Sequence, residues 1–193
     1  MQHHDLIRQL VNGDRNALRL LYAEFGKRVF STALGLVQNR EEAEEITQDV
    51  FVEVFRSAAD FKFQSSVSTW LYRIAVNKSL DVIRYRKRGK RFGFLISIFH
   101  RESGEINVEK PDFEHPGVLL ENQERASILF KCIDQLGESQ RSTFVLSHVE
   151  QLPQKEIATI LNISEKAVES LLQRAKANLR TELEKYYPER RKS

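Results

Sequence analysis

The sequence predicts an all-α protein: two small helical domains joined by a flexible linker, the second containing a helix-turn-helix. Apolar residues recur with helical period, no segment alternates as a strand would, and there are only eight Gly and four Pro to interrupt. A chain of 193 residues with 41% apolar content can bury small but real cores.

The elements follow in order. Asp5 and Asp14 read as helix N-caps, the second opening an amphipathic run over 15–38 with Leu18, Leu21, Phe25, Val29 and Ala33 on one stripe. Asn39 breaks that run before an acidic helix over about 41–58. Its inward side is Ala43, Ile46, Val50 and Val54, with Phe51 and Phe55 widening the apolar surface. These two helices pack as a hairpin. After a Ser-rich loop, 69–87 reads as a further helix turned inward at Leu71, Ile74, Ala75 and Ile83. The first domain thus spans 1–91.

Over 92–117 the period fails among Gly93, Gly104, Pro111, Pro116 and Gly117, which marks the linker. It holds an apolar patch at 92–99, FGFLISIF, too short to cross a bilayer and without a role that its residues reveal. The second domain, 118–188, opens with an amphipathic helix that stops at Gly137, after which Ser139 caps a short helix through Thr143, Phe144, Leu146 and Val149. A basic tail, 189–193, follows.

The helix-turn-helix is carried by LPQKEIATILNISEKAVESLLQRAKANLRTEL. Pro153 suits a first helical position, Ala158 is small where helices cross, Asn162 takes a left-handed conformation, and Ser164 caps the second helix. Val168, Leu171 or Leu172, Ala175, Leu179 and Leu183 form its buried stripe. Lys166, Glu169, Ser170, Gln173, Arg174 and Lys176 then face outward, where a major groove admits such a helix.

Charge is local rather than global. The net charge of +3 hides six carboxylates and no base at 41–53, against six bases and no acid at 84–91, with an aromatic loop between. A basic face beside aromatics suits nucleic acid, and an acidic face set apart from it needs a basic protein partner. The pattern is that of an adaptor.

Several classes are excluded. Cys132 has no disulfide partner and reads as core; the five histidines, His3, His4, His100, His115 and His148, show no metal-ligand spacing beyond the terminal pair. A row of Glu on one helix is usually a surface rather than a magnesium site, and no glycine-rich phosphate loop is present. The reading is therefore a non-enzyme without cofactor or metal. No run reaches a membrane span and MQHHDLIRQ has no signal-peptide core, which predicts a cytoplasmic protein without membrane insertion.

GDRNALRLLYAEF, EEAEEITQDVFVEVF and STWLYRIAVNKSLDVIRYRKR in the first domain, with LGESQRSTFVLSHVEQLPQKEIATILNIS and QRAKANLR in the second, together resemble the RNA polymerase sigma factors of the extracytoplasmic-function class. The resemblance covers almost the whole chain. It implies that the acidic helix meets the clamp helices of the polymerase largest subunit through Glu41, Glu45, Gln48, Asp49 and Glu53. It implies that 61–91 melts the promoter and captures a flipped non-template base. A pocket in the loop 62–68, with Lys62, Phe63, Gln64, Ser65 and Ser66, would hold that base, with Asn77 nearby. Arg73, Lys78, Arg84, Arg86, Lys87 and Arg88 would hold the DNA backbone. Trp70 admits two readings, core anchor or stacking platform, and its place at a helix start favours the core.

For the second domain the resemblance implies duplex promoter DNA read through Lys155, Lys166, Glu169, Ser170, Gln173, Arg174 and Lys176, near the polymerase flap. Ala167, Glu169 and Leu171 stand where the family often has Thr, Lys and Arg, and Gly137 where Pro is frequent. The implied partners are core RNA polymerase and promoter DNA, with an anti-sigma factor admitted as a third, and the free chain is expected to be a monomer. A free-standing helix-turn-helix regulator with a sensing or dimerising first domain explains the second domain but leaves the acidic ridge and the aromatic-basic tract without a shared purpose.

Overall fold

The structure is a computed structural model and describes residues 2–99 and 123–187, among which there is no strand. Helices α1 (Gln2–Val11), α2 (Arg15–Val37), α3 (Arg40–Ser57) and α4 (Val67–Phe99) form the first unit, with a 3-10 turn at Ala58–Asp60. Helices α5 (Gln123–Asp134), α6 (Glu138–Phe144), α7 (Gln154–Leu161) and α8 (Glu165–Glu184) form the second, with a π-helical turn at Val145–Val149 after α6.

Local chemistry sets most boundaries. Asp14 accepts from the Asn16 N–H at 2.8 Å to start α2, and Asn39 accepts from the Glu42 N–H at 2.9 Å to start α3. The chain turns between them because Gln38 adopts a left-handed φ of 57°. Along α3, Ala43, Ile46, Val50 and Val54 are buried as the period requires, and so is Phe51.

Four boundary expectations are corrected. Helix α1 starts at Gln2, so Asp5 lies inside it and pairs with Arg8 at 2.8 Å instead of capping. Helix α4 runs to Phe99, past the expected end at Lys87, so the first residues assigned to the linker continue a helix. A single Gly such as Gly93 weakens a helix without ending it, and the rest of 92–99 is mostly apolar. Gly137 is extended (φ −61°, ψ 153°) and is itself the N-cap of α6, so it neither ends α5 in a left-handed turn nor leaves capping to Ser139. Pro153 is the N-cap of α7 rather than its first residue. Residues 100–117 of the expected linker and the tail at 189–193 lie outside the described residues.

The two units share a core. Buried side chains of the first unit are continuous with Val145, Leu146, Ile157, Ile160, Val168 and Leu172 of the second, while Phe130, Ile133, Phe144 and Leu179 build a smaller cluster around Cys132. Helix α2 packs against the π-helical turn and α4 against α7. Gly35 permits the first contact, because a Cβ there would stand 3.0 Å from Val145 Cγ1. Arg141 seals it from inside. Only 2% exposed, its guanidinium donates to the Leu36 carbonyl at 3.2 Å and to the Asp134 carbonyl, and it pairs with the Asp134 carboxylate at 2.9 Å. Burial lowers its pKa, with Asp134 opposing.

Candidate protein and nucleic-acid interfaces

With its apolar stripe turned inward, α3 presents Glu41, Glu45, Gln48 and Asp49 to solvent, and Glu53 half-buried beside them. Val52 and Phe55 are each 45% exposed on the same helix, so Phe55 belongs to this outer surface and not to the core that the periodicity assigned it. Helix α3 thus sets exposed apolar groups beside its exposed carboxylates. Two pairs cross the α3–α4 seam, Lys78 with Asp49 and Arg86 with Glu42, each at 3.5 Å. The two faces are therefore joined at their edge, while the ridge at Glu41 and Glu45 stays open.

The loop between the 3-10 turn and α4 exposes Lys62, Phe63 and Gln64. Phe61 beneath them is buried and stacks on Trp70 at 4.7 Å, so Trp70 works as an anchor under the loop. Ser66 is otherwise engaged than the sequence suggested: its hydroxyl accepts from the Thr69 N–H at 3.0 Å and shares a hydrogen bond with Thr69 Oγ1 at 2.8 Å, capping α4. The Ser65 carbonyl accepts from His4 Nε2 at 3.2 Å. Asn77 is not brought to the loop. It lies about 15 Å along α4 from Val67 at a rise of about 1.5 Å per residue, lining a groove of about 460 Å³ against the second unit with Arg73, Leu80, Arg84, Glu138 and Leu171.

The cations of α4 divide into two groups. Arg73 donates to the Thr159 carbonyl at 2.6 Å and the Ile160 carbonyl at 3.3 Å, satisfying the C-terminal end of α7. Arg84 pairs with Glu138 at 2.9 Å and Asp81 at 3.1 Å, and Arg86 donates to the Val37 carbonyl at 2.9 Å. Lys87 and Arg88 are exposed beyond these contacts. The charge pattern placed Arg84, Arg86, Lys87 and Arg88 on a basic surface and the resemblance added Arg73, but neither could foresee that α6 and α7 would engage part of it.

The helix-turn-helix is built as its residues require. Asn162 is left-handed (φ 55°) and its N–H bonds back to the Ala158 carbonyl; Ser164 accepts from the Ala167 N–H at 3.1 Å. Leu172, not Leu171, is the buried member of the α8 stripe. Lys155, Lys166, Glu169, Gln173, Arg174 and Lys176 are exposed, and Ser170 is held by Arg174, whose Nη2 donates to its Oγ at 3.0 Å.

Family models coincide with these two constructions: Sigma-70 region 2 matches residues 21–89, and Sigma-70, region 4 matches residues 127–179. The chain belongs to the sigma-70 family, as an ECF-class sigma factor. This sigma factor is 26% identical over 175 residues to the RNA polymerase sigma-H factor of Pseudomonas aeruginosa, covering 91% of this chain and 90% of that one. It is 27% identical over 181 residues to the ECF RNA polymerase sigma factor SigW of Bacillus subtilis, covering 92% and 94%. Among solved structures, CnrH in complex with the cytosolic domain of CnrY shares the fold, with TM-score 0.68 and 23% identity over 95% of this chain and 98% of that one. In this sigma factor α1 precedes both matched segments, and the expected linker falls between them. Among the described residues no helix is long and apolar enough to cross a membrane, and no group of three or more His, Cys, Asp or Glu could hold a metal ion.

Proposed function

We propose that this chain is a dissociable, non-enzymatic specificity subunit of RNA polymerase that directs the enzyme to promoters and opens them, acting in the cytoplasm as a monomer when free. Residues 1–91 bind core polymerase and hold the separated strand; residues 118–188 read duplex DNA. The observation that carries the reading is the outward acidic ridge of α3 at Glu41, Glu45, Gln48 and Asp49, opposite in charge to the loop 62–66 and to the cations of α4. A carboxylate ridge repels DNA and attracts the basic and polar clamp helices, while rings and cations on the loop and α4 accept an unstacked base and its phosphates. Base stacking is worth about 1–3 kcal/mol, comparable to the cost of unstacking, so capture traps transient opening without nucleotide hydrolysis.

Arg73 and Arg84 are engaged by the second unit. Their use on DNA therefore requires those contacts to be exchanged for phosphate when the holoenzyme assembles. The test is co-purification with core polymerase followed by transcription from a random DNA library. Core-dependent, promoter-specific transcripts are expected; a dimer that binds a palindrome without polymerase would overturn the assignment.

A further inference from the structure

We propose that α1 is a working part of the strand-capture apparatus, with His4 and Arg8 as positioning residues that hold loop 61–66 in its base-accepting shape; this rests on the reading of that loop given above. The starting observation is Phe63, which has a left-handed φ of 56°. Asn tolerates that region through its short polar side chain, as at Asn162, but a bulky aromatic does not, and such a conformation persists only where the surroundings over-determine it.

Those surroundings come largely from α1. The His4 ring meets the Phe63 ring edge-on at 5.3 Å, and the Arg8 guanidinium lies 5.2 Å over the Phe63 centroid. Phe61 completes the ring cluster at 5.0 Å from Phe63. His4 Nε2 then donates to the Ser65 carbonyl, the tautomer following from an acceptor that has no proton to give. Helix α1 thus grips the loop on both sides of Gln64, leaving Gln64 and Lys62 exposed and Phe63 39% exposed.

The brace is itself rigidly mounted. Ile7 and Leu10 are buried in the core, His3 Nε2 lies 2.7 Å from Glu24 Oε1, and the His3 ring packs on Phe25 at 5.0 Å. The loop's shape is therefore referred to α2 through α1, which itself lies outside the segment that the family model matches. A loop released from this grip spends less time in the competent shape, and apparent affinity for the unpaired strand falls by that fraction.

The experiment uses holoenzyme assembled from core polymerase and the full chain, with a promoter fragment recovered from a random DNA library by the wild-type holoenzyme. Open complexes are scored by permanganate reactivity of unpaired thymines, and core affinity is titrated separately. The double variant His4→Ala, Arg8→Ala is expected to keep core affinity and duplex binding while open complexes fall about tenfold, as for a competent fraction reduced to about a tenth. The single variant His4→Gln, which retains a donor for the Ser65 carbonyl, is expected to recover part of that deficit. Lys62→Ala, Gln64→Ala tests the loop reading itself. Normal opening by the double variant beside impaired opening by the loop variant overturns the brace alone; normal opening by both overturns the capture reading and the brace with it. Weakened core affinity in the double variant would mean general damage and also overturns the proposal.

Discussion

Tyr72 Oη donates to Glu150 Oε2 at 3.1 Å, tying α4 to the turn that leads into the helix-turn-helix. Tyr72 is buried and Glu150 half-buried, and Glu150 Oε1 has no hydrogen-bond partner among the described residues. Burial raises the Glu150 pKa, opposed by the nearby Ser31, Tyr72 and Thr32 hydroxyls and by Arg28; burial and then Glu150 raise that of Tyr72.

The sign of the pH dependence follows. An acid whose folded pKa exceeds its unfolded value favours the fold most when protonated, and that contribution disappears as pH rises through the raised value. Glu150→Gln keeps an acceptor for Tyr72 without the charge. Its stability relative to wild type should therefore increase as pH rises out of the ordinary carboxylate range and level off once the raised Glu150 pKa is passed, measured as denaturation midpoints. A difference that stays flat with pH would contradict the assignment.

Arg141 supplies donors to two backbone carbonyls, those of Leu36 and Asp134, from a buried position. Arg141→Ala should cost on the order of 3 kcal/mol, since an unpaired buried acceptor costs about 1–3 kcal/mol. Urea denaturation measures it, and a change within about 0.5 kcal/mol, the size of an ordinary surface substitution, would show that the seal is dispensable.

Glu41, Glu45, Asp49 and Glu53 are spaced by four, so each neighbouring pair costs α3 about 0.2–0.5 kcal/mol, partly relieved at Asp49 by Lys78 at 3.5 Å. Glu45→Lys turns repulsion into attraction on both sides. The free chain should keep its helicity and gain on the order of 1 kcal/mol, two repulsive pairs becoming two attractive ones, while binding to core polymerase is abolished. Retained co-purification with core enzyme would remove the ridge from the interface.

Lys87 and Arg88 are exposed beyond the contacts that engage Arg84 and Arg86. Replacing both with Ala should leave the free chain's stability unchanged and flatten the salt slope of promoter binding by about 0.7–0.9 for each phosphate no longer neutralised. Binding isotherms across a salt series decide this, and an unaltered slope would place the DNA elsewhere.

What the sequence determined by itself was local. The helical class, the inward stripes of α2 and α3, the caps at Asp14 and Ser164 and the left-handed Asn162 all follow from residues within about one or two turns of each other. The charge reversal and the helix-turn-helix were legible for the same reason. Tertiary structure alone decided which cations of α4 are spoken for, because Arg73 meets Thr159 and Arg84 meets Glu138 from far along the chain. It also decided that Arg141 would be buried, that Phe55 would face outward, and that His4 would hold the loop at Ser65. Such pairings depend on how finished helices are set against one another, which periodicity along a single helix does not encode.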